Sequence, residues 1–293
     1  MRQAIQHWFE GLRSQLFSVR PELDDECAEL LKRIPKGTLS LEHLWQFFWD
    51  KPLWANIRRC AISKTHKIIL ENGVPSYASL GSKAWEFDYL GKESRKGGHW
   101  RSEDRWKPVG RLSKAYFRRR FSEEIPVRIA VWRVAQITSF AQLLVKCERD
   151  KLDANALLQL ASSSVISTID LNTLRSVKSS LCTGWGITTL LHGLTDLGIA
   201  IKPDIHFARA CIWSGMIDAS MTGWSKEDIN AWLQRDSNKL LLVNSARCLA
   251  VLLNGTRPSL RKTLREVDFV LMNCSDAGLL RIHNRSFPGW SPR

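Results

Sequence analysis

Long apolar runs are missing from this 293-residue chain. None approaches the roughly 18 residues that a membrane-spanning helix needs, so a membrane protein of that type is excluded. The N-terminal MRQAIQHWFEGLRSQLF has neither an uninterrupted apolar core nor a small-residue cleavage site, and does not have the form of a secretory signal. Its Ile5, Trp8, Phe9, Leu12 and Leu16 instead mark one face of an amphipathic helix. Seven cysteines occur, at 27, 60, 147, 182, 211, 248 and 274, with no C-x-x-C pair among them. This scattered, odd-numbered set predicts buried reduced thiols in a cytosolic protein. Structural zinc or an iron–sulfur cluster would need ligands converging from distant segments. Cys274, Asp276 and His283 fit no standard metal spacing. No phosphate-binding Walker loop, G-x-S-x-G elbow or H-E-x-x-H motif occurs. The expectation is a protein without metal or cofactor.

Acidic residues are also short. Twenty-nine Asp and Glu face 43 Lys and Arg, a formal charge of +14. A soluble basic protein most often meets a polyanion, with nucleic acid first and an anionic membrane second. Hydrophobic residues at 44% and charged residues at 25% are otherwise ordinary for a globular chain long enough for one large domain or two smaller ones.

What is present is helical periodicity. CAELLKRI, LEHLWQFFW, VRIAVWRVAQITSFAQLLVK, LLQLASSSVIS and KEDINAWLQR carry apolar residues at steps of three and four. Ser40 precedes one such run, and Ser225 with Asp228 three residues on approximates a capping box. The one strand-like stretch lies around Lys67–Leu70. The fold expected is mainly α. Trp45, Trp49, Trp132, Trp213 and Trp232 fall in the apolar periodic runs and are expected in the core.

Residues 91–121 break the pattern. They hold eleven Lys and Arg against three acids, and Gly97, Gly98, Pro108 and Gly110 interrupt any continuous helix. Trp100, Trp106, Tyr116 and Phe117 are interleaved with Arg95, Lys96, Arg101, Arg105, Lys107, Arg111, Arg118, Arg119 and Arg120. Such a run is either a solvated loop or a surface that tracks phosphates and stacks on bases. The aromatics favour the second reading. Another basic stretch, Asn254–Arg265, is either a phosphate contact or an ordinary solvated helix.

The segment 181–210, LCTGWGITTLLHGLTDLGIAIKPDIHFARA, carries the most chemistry. Leu174, Val177 and Leu181 set a helix running towards Gly184. The triplet Gly184-Trp185-Gly186 permits a tight turn with positive φ and close approach of another backbone. Ile187, Leu190, Leu191 and Leu194 then step at helical spacing to Gly198, a natural stop. A helix–turn–helix of this kind presents N–H groups at the start of its second helix, where a phosphate oxygen fits. After a short connection, Pro203 and Asp204 precede IHFARACIW, which places Asp204 at a helix N-cap. Capping amides and the helix dipole favour the anionic form of a carboxylate.

Leu181-Cys182-Thr183-Gly184-Trp185-Gly186 followed by Asp204-Ile205-His206-Phe207-Ala208-Arg209 resembles the helix-hairpin-helix DNA glycosylases, the superfamily of endonuclease III and the alkyladenine and adenine-mismatch glycosylases. Their signature pairs an L-P-G-x-G hairpin with a downstream Asp that opens a helix, often as D-x-H-x-x-R. The likeness extends over about residues 120–215 and can be followed residue by residue over 181–209. Here Thr183 stands in place of the hairpin proline and Trp185 in place of a small aliphatic residue. Thr188 stands where strand-cleaving members carry a Schiff-base lysine, and the C-terminal four-cysteine cluster motif is absent.

The resemblance implies a bundle of two helical lobes with a basic loop insertion. It implies an enzyme that flips a damaged or modified base from DNA and hydrolyses its N-glycosidic bond without cutting the strand. Asp204 would then be catalytic, with Gly184, Trp185, Gly186, Thr188 and Lys202 on the DNA backbone and His206 and Arg209 in support. Trp100, Trp106 and Trp185 would stack on the base or fill its gap. His206 and Arg209 have equally ordinary structural readings, and His192 reads as a surface or packing residue. The expected division is 1–90, an N-terminal helical region; 91–121, the basic loop; 122–215, the catalytic lobe; and 216–293, C-terminal helices packing back. The expected partner is duplex DNA, contacted without sequence preference by a monomeric, cytoplasmic, nucleoid-associated protein. Its role would be repair or defence against modified phage DNA. The rivals are a non-catalytic helix-hairpin-helix DNA-binding module and an RNA-binding protein.

Overall fold

The structure, a computed structural model, describes residues 1–54, 66–67, 70–71, 73–82, 87–89, 106–108, 131–159, 169–181, 186–254 and 259–280. The chain is mainly helical. In order, the elements are α1 (Arg2–Val19), α2 (Glu22–Arg33), α3 (Leu41–Phe48), α4 (Lys51–Trp54) and α5 (Tyr77–Gly81). Two short strands, β1 (Phe87–Tyr89) and β2 (Trp106–Pro108), come next. The remaining helices are α6 (Val131–Arg149), α7 (Ala154–Leu158), α8 (Leu171–Ser180), α9 (Ile187–Asp196), α10 (Ile205–Ser214), α11 (Lys226–Trp232), α12 (Asp236–Leu253) and α13 (Leu260–Asp276), with a 3₁₀ turn at Ala219–Gly223. None of the described helices is long and apolar enough to cross a membrane.

The chain divides into two compact units that do not follow sequence order. One comprises Met1–Lys36, Ser163–Leu174 and Leu190–Arg293; the other comprises Gly37–Ser162 and Arg175–Thr189. The first 90 residues are therefore shared between the two units, and α8 and α9 each contribute to both.

In the first unit α13 packs on α10, α12, α1 and α2. Its central run buries Leu264, Val267, Phe269, Val270, Leu271 and Cys274, while α1 buries Ile5, Phe9, Leu12 and Leu16 at helical spacing. Arg13 reaches from α1 to Glu266 of α13 at 2.9 Å. The segment before α8 is fixed by Asn244 of α12, whose side chain accepts from the Ile169 N–H at 2.8 Å and donates to its carbonyl at 3.0 Å. Ser225 and Asp228 form the expected reciprocal capping box at α11. Trp213 and Trp232 are half-buried rather than core. Trp232 and Trp224 line a groove of about 520 Å³ with Asp228, Ala231 and Arg235.

The second unit is built around α6. Phe140 stacks against Trp45 and Phe48 of α3, and the Trp45 indole donates to the Pro75 carbonyl at 2.9 Å. Gly81 lets α5 meet α6 closely, since a Cβ there would lie 2.5 Å from the Ala141 carbonyl oxygen. Ser40 caps α3 as expected, with His43 returning the bond. Buried Trp49 stacks on His66, and Asp50 lies between Lys51, at 3.0 Å, and His66, at 3.1 Å.

Two local expectations are corrected. Around Lys67–Leu70 the described residues are helical rather than strand: Lys67 and Leu70 are in helix, and the Lys67 ammonium lies 3.7 Å from Glu71, one helical turn on. Strand pairing falls elsewhere, with Phe87, Asp88 and Tyr89 opposite Pro108, Lys107 and Trp106. Trp106 and Lys107 thus belong to a short antiparallel strand pair, and Pro108 takes the end position that a residue without an N–H tolerates. Cys27, Cys147, Cys211 and Cys274 are buried thiols as expected, whereas Cys248 is exposed.

Candidate functional site

The connection between α9 and α10 delivers Asp204, and nearly every residue of it is fixed. Two residues after α9, Gly198 takes the left-handed conformation (φ +68°) and donates to the Thr195 carbonyl at 2.9 Å. Glycine is required twice over at this position. A side chain would be strained by the φ value, and its Cβ would lie 2.5 Å from the Arg261 carbonyl oxygen of α13. The Ile199 and Ala200 amides both turn back to the Leu194 carbonyl, at 2.9 and 3.2 Å. The Ile199 carbonyl accepts from the guanidinium of Arg247, a buried arginine of α12. Burial holds the Arg247 pKa below its ordinary value. The Lys202 amide donates to Asp268 Oδ1 at 3.2 Å, and the Lys202 carbonyl accepts from the Asp204 amide at 2.8 Å.

Asp204 then opens α10 in extended geometry (φ −101°, ψ 179°). One carboxylate oxygen, Oδ1, accepts from both the His206 and Phe207 amides at 3.0 Å. The other, Oδ2, lies 3.8 Å from the Lys202 ammonium, and the Asp204 side chain keeps 24% of its exposure. One oxygen is thus occupied by the helix, while the other remains open to solvent beside a cation.

Behind this turn lies a second carboxylate, which no local motif marks. Asp268, in the middle of α13, is 2% exposed. Its Oδ1 receives the Lys202 amide and its Oδ2 the Arg265 guanidinium, which also lies 3.5 Å from Asp196 at the end of α9. Burial pushes the Asp268 pKa up to about 6. Arg265 and the Lys202 amide oppose that rise, while the like charges of Asp204 and Asp196 add to it. Its sequence signal is a lone acid in the apolar run VDFVLM, three residues after Arg265 on the same helical face. Arg247, in the apolar run of α12, carried the same kind of signal.

The other expected site residues are placed as follows. His206 Nδ1 lies 3.7 Å from Asp276, beyond hydrogen-bond reach, so the imidazole faces the end of α13 rather than the Asp204 carboxylate. The Arg209 guanidinium lies over the Trp213 ring at 5.8 Å. Gly186 and Thr188 are exposed at the start of α9. At Gly186 the backbone is not left-handed, and an added Cβ would meet no described atom within 4 Å, so its own packing does not demand glycine. Gly184, Trp185, Trp100, Arg95, Lys96, Arg101, Arg105, Arg111, Arg118, Arg119 and Arg120 lie outside the described residues. Trp106 and Lys107 are placed in β2 by backbone alone. The arrangement around Asp204 can stabilise a cation and accept a proton: it offers a fixed carboxylate with one unspent oxygen. No family model, curated protein or solved structure matches the chain.

Proposed function

We propose that the chain is a monofunctional DNA glycosylase that flips a damaged or modified base out of duplex DNA and hydrolyses its N-glycosidic bond. The observation that carries this reading is the half-used Asp204 carboxylate, held by two amides at the start of α10 and open on its second oxygen. The likeness of the surrounding residues to the glycosylase signature, and the +14 charge of the chain, support it.

The chemistry follows from that group. As the bond between the sugar C1′ and the base nitrogen lengthens, the base takes the bonding pair and positive charge builds on the deoxyribose. Asp204 Oδ2 faces that charge and stabilises it without reorganising, because Oδ1 anchors the carboxylate. A water then bonds to C1′ and its proton passes to the carboxylate or to solvent, while the departing base takes a proton from solvent at nitrogen. In this reading Lys202, whose ammonium lies 3.8 Å from Asp204 Oδ2, contacts phosphate. Exposed Gly186 and Thr188 at the start of α9 receive the DNA backbone, and Thr188 supplies no amine for strand cleavage. The finer expectations accompany this reading: two lobes of the helix-hairpin-helix type, a monomer, duplex DNA bound through its backbone, and action in the cytoplasm at the nucleoid.

The test is incubation with duplexes carrying a broad panel of modified and mispaired bases, followed by alkali to break abasic sites. Wild type is expected to give alkali-dependent cleavage on at least one duplex and no cleavage without alkali. Asp204→Asn is expected to lose about 100-fold or more of that rate, the range for removing one preorganised electrostatic group. Wild type inactive across the panel, with salt-dependent duplex binding intact, replaces the proposal by the non-catalytic DNA-binding module.

A further inference from the structure

We propose that Asp268 is a positioning residue for Asp204, holding the Lys202 amide two residues before the cap and setting a second carboxylate behind the first. Its catalytic purpose rests on the glycosylase reading; the contact itself does not. Three observations carry it. Asp268 is buried at 2%, on the helix that packs most extensively in its unit, so it is a fixed point. It spends one oxygen on the Lys202 amide and the other on Arg265, leaving neither for solvent. The turn it grips spans only Lys202–Asp204 and is closed by the bond from the Asp204 amide to the Lys202 carbonyl at 2.8 Å, so a shift at Lys202 moves the cap.

The charged groups facing Asp268 are Arg265 on its own helix, Asp196 of α9 through Arg265, and Asp204 with Lys202 on the connection. Arg247 of α12 grips the neighbouring Ile199 carbonyl, so α12 and α13 hold the connection at successive points. The like charge of Asp204 adds to the rise that burial imposes on the Asp268 pKa. When Asp268 carries its proton, the Lys202 amide keeps an acceptor but loses the charge that strengthens the bond. When Asp268 is ionised, the turn is held tightly and a second negative charge stands behind the open Asp204 oxygen. Activity therefore rises as Asp268 ionises.

The experiment uses the full chain and reads the turn directly. Amide exchange at Lys202, corrected for the intrinsic pH dependence, is followed by NMR between pH 5 and 7.5, and the carboxyl carbon of Asp268 is titrated in wild type and Asp204→Asn. The expected result is several-fold weaker protection of the Lys202 amide at pH 5 than at 7.5. In Asp268→Asn, whose single carbonyl oxygen cannot serve both partners, exchange at Lys202 should be about tenfold faster, with amides of α12 such as Val243 unchanged. The Asp268 midpoint should fall in Asp204→Asn, because a like charge has gone. On a duplex that wild type processes, the acid limb of the single-turnover rate should track the Asp268 midpoint and vanish in Asp268→Asn, with substrate affinity kept. Should Asp268→Asn fold poorly, Asp268→Glu and the wild-type pH series give the same readouts. Lys202 protection independent of pH, or an Asp268 midpoint unmoved by Asp204→Asn, overturns the proposal. Base release absent from wild type while both NMR readouts behave as expected overturns the glycosylase reading and supports the contact.

Discussion

Replacing Asp204 by Asn and by Ala separates its work as a helix cap from its work as a charge. Both cap bonds end on a single oxygen, Oδ1, at 3.0 Å from the His206 and Phe207 amides. An Asn side chain carries an oxygen in the same place and ranks with Asp as a cap, whereas Ala carries none and costs about 1 kcal/mol. Asn also gives up the charge–dipole attraction, about 0.3–1 kcal/mol, and the 3.8 Å approach of Lys202. That pair is partly exposed, at 42% and 24%, and contributes at most about 0.5 kcal/mol. Against these losses stands relief from the like charge of buried Asp268. The expected balance is a change within about 0.5 kcal/mol for Asp204→Asn and a loss of about 1–2 kcal/mol for Asp204→Ala. At about 2–4 °C per kcal/mol for a unit of this size, Tm should fall by roughly 2–8 °C for Ala and by little for Asn. Thermal and urea melts at pH 7 measure it. Equal destabilisation by the two replacements would refute the claim that Oδ1 serves the helix while charge serves another purpose.

Gly198→Ala combines a left-handed φ with a Cβ 2.5 Å from the Arg261 carbonyl, and should cost about 2–4 kcal/mol in a urea melt. Gly186→Ala meets no described atom and should change stability by less than about 0.5 kcal/mol while weakening duplex affinity; unchanged affinity would remove Gly186 from the DNA contact. Asp268 has a folded pKa of about 6 against an ordinary 3.8, so between these values the folded chain holds a proton that the unfolded chain has released. Its contribution to stability is thus present at low pH and lost as pH rises through about 6, by about 3 kcal/mol in all. Stability of wild type relative to Asp268→Asn should fall by that order from pH 4 to 6.5, and a difference flat in pH contradicts the burial argument.

The elements around the site were legible because their signals are local. Helical spacing from Ile187 to Leu194, a stop at Gly198 and a cap at Asp204 are each decided within one or two turns, and the structure has them where the residues put them. The caps at Ser40 and Ser225 were legible for the same reason. Lys67–Leu70 misled because adjacent isoleucines favour strand, whereas the ion pair of Lys67 with Glu71 works at helical spacing. Trp232 misled because periodicity gives a face and not a depth, and its face opens on a groove. Asp268, Arg265 and Arg247 were missed as a group because their partners are remote in sequence: the Lys202 amide, Asp196 and the Ile199 carbonyl. The association of α1 and α2 with α13, which brings together segments remote in sequence within the first unit, has no local signal either.

Free-base release decides whether Asp204 serves N-glycosidic bond hydrolysis. DNA containing mixed modified bases is incubated with the protein, and the ultrafiltrate is read by mass spectrometry while strand length is followed on a denaturing gel. Wild type is expected to leave a free base in the filtrate with strands intact until alkali is added, and Asp204→Asn to release none under the same conditions. Duplex binding by wild type with no base in the filtrate, or release undiminished in Asp204→Asn, would contradict that role.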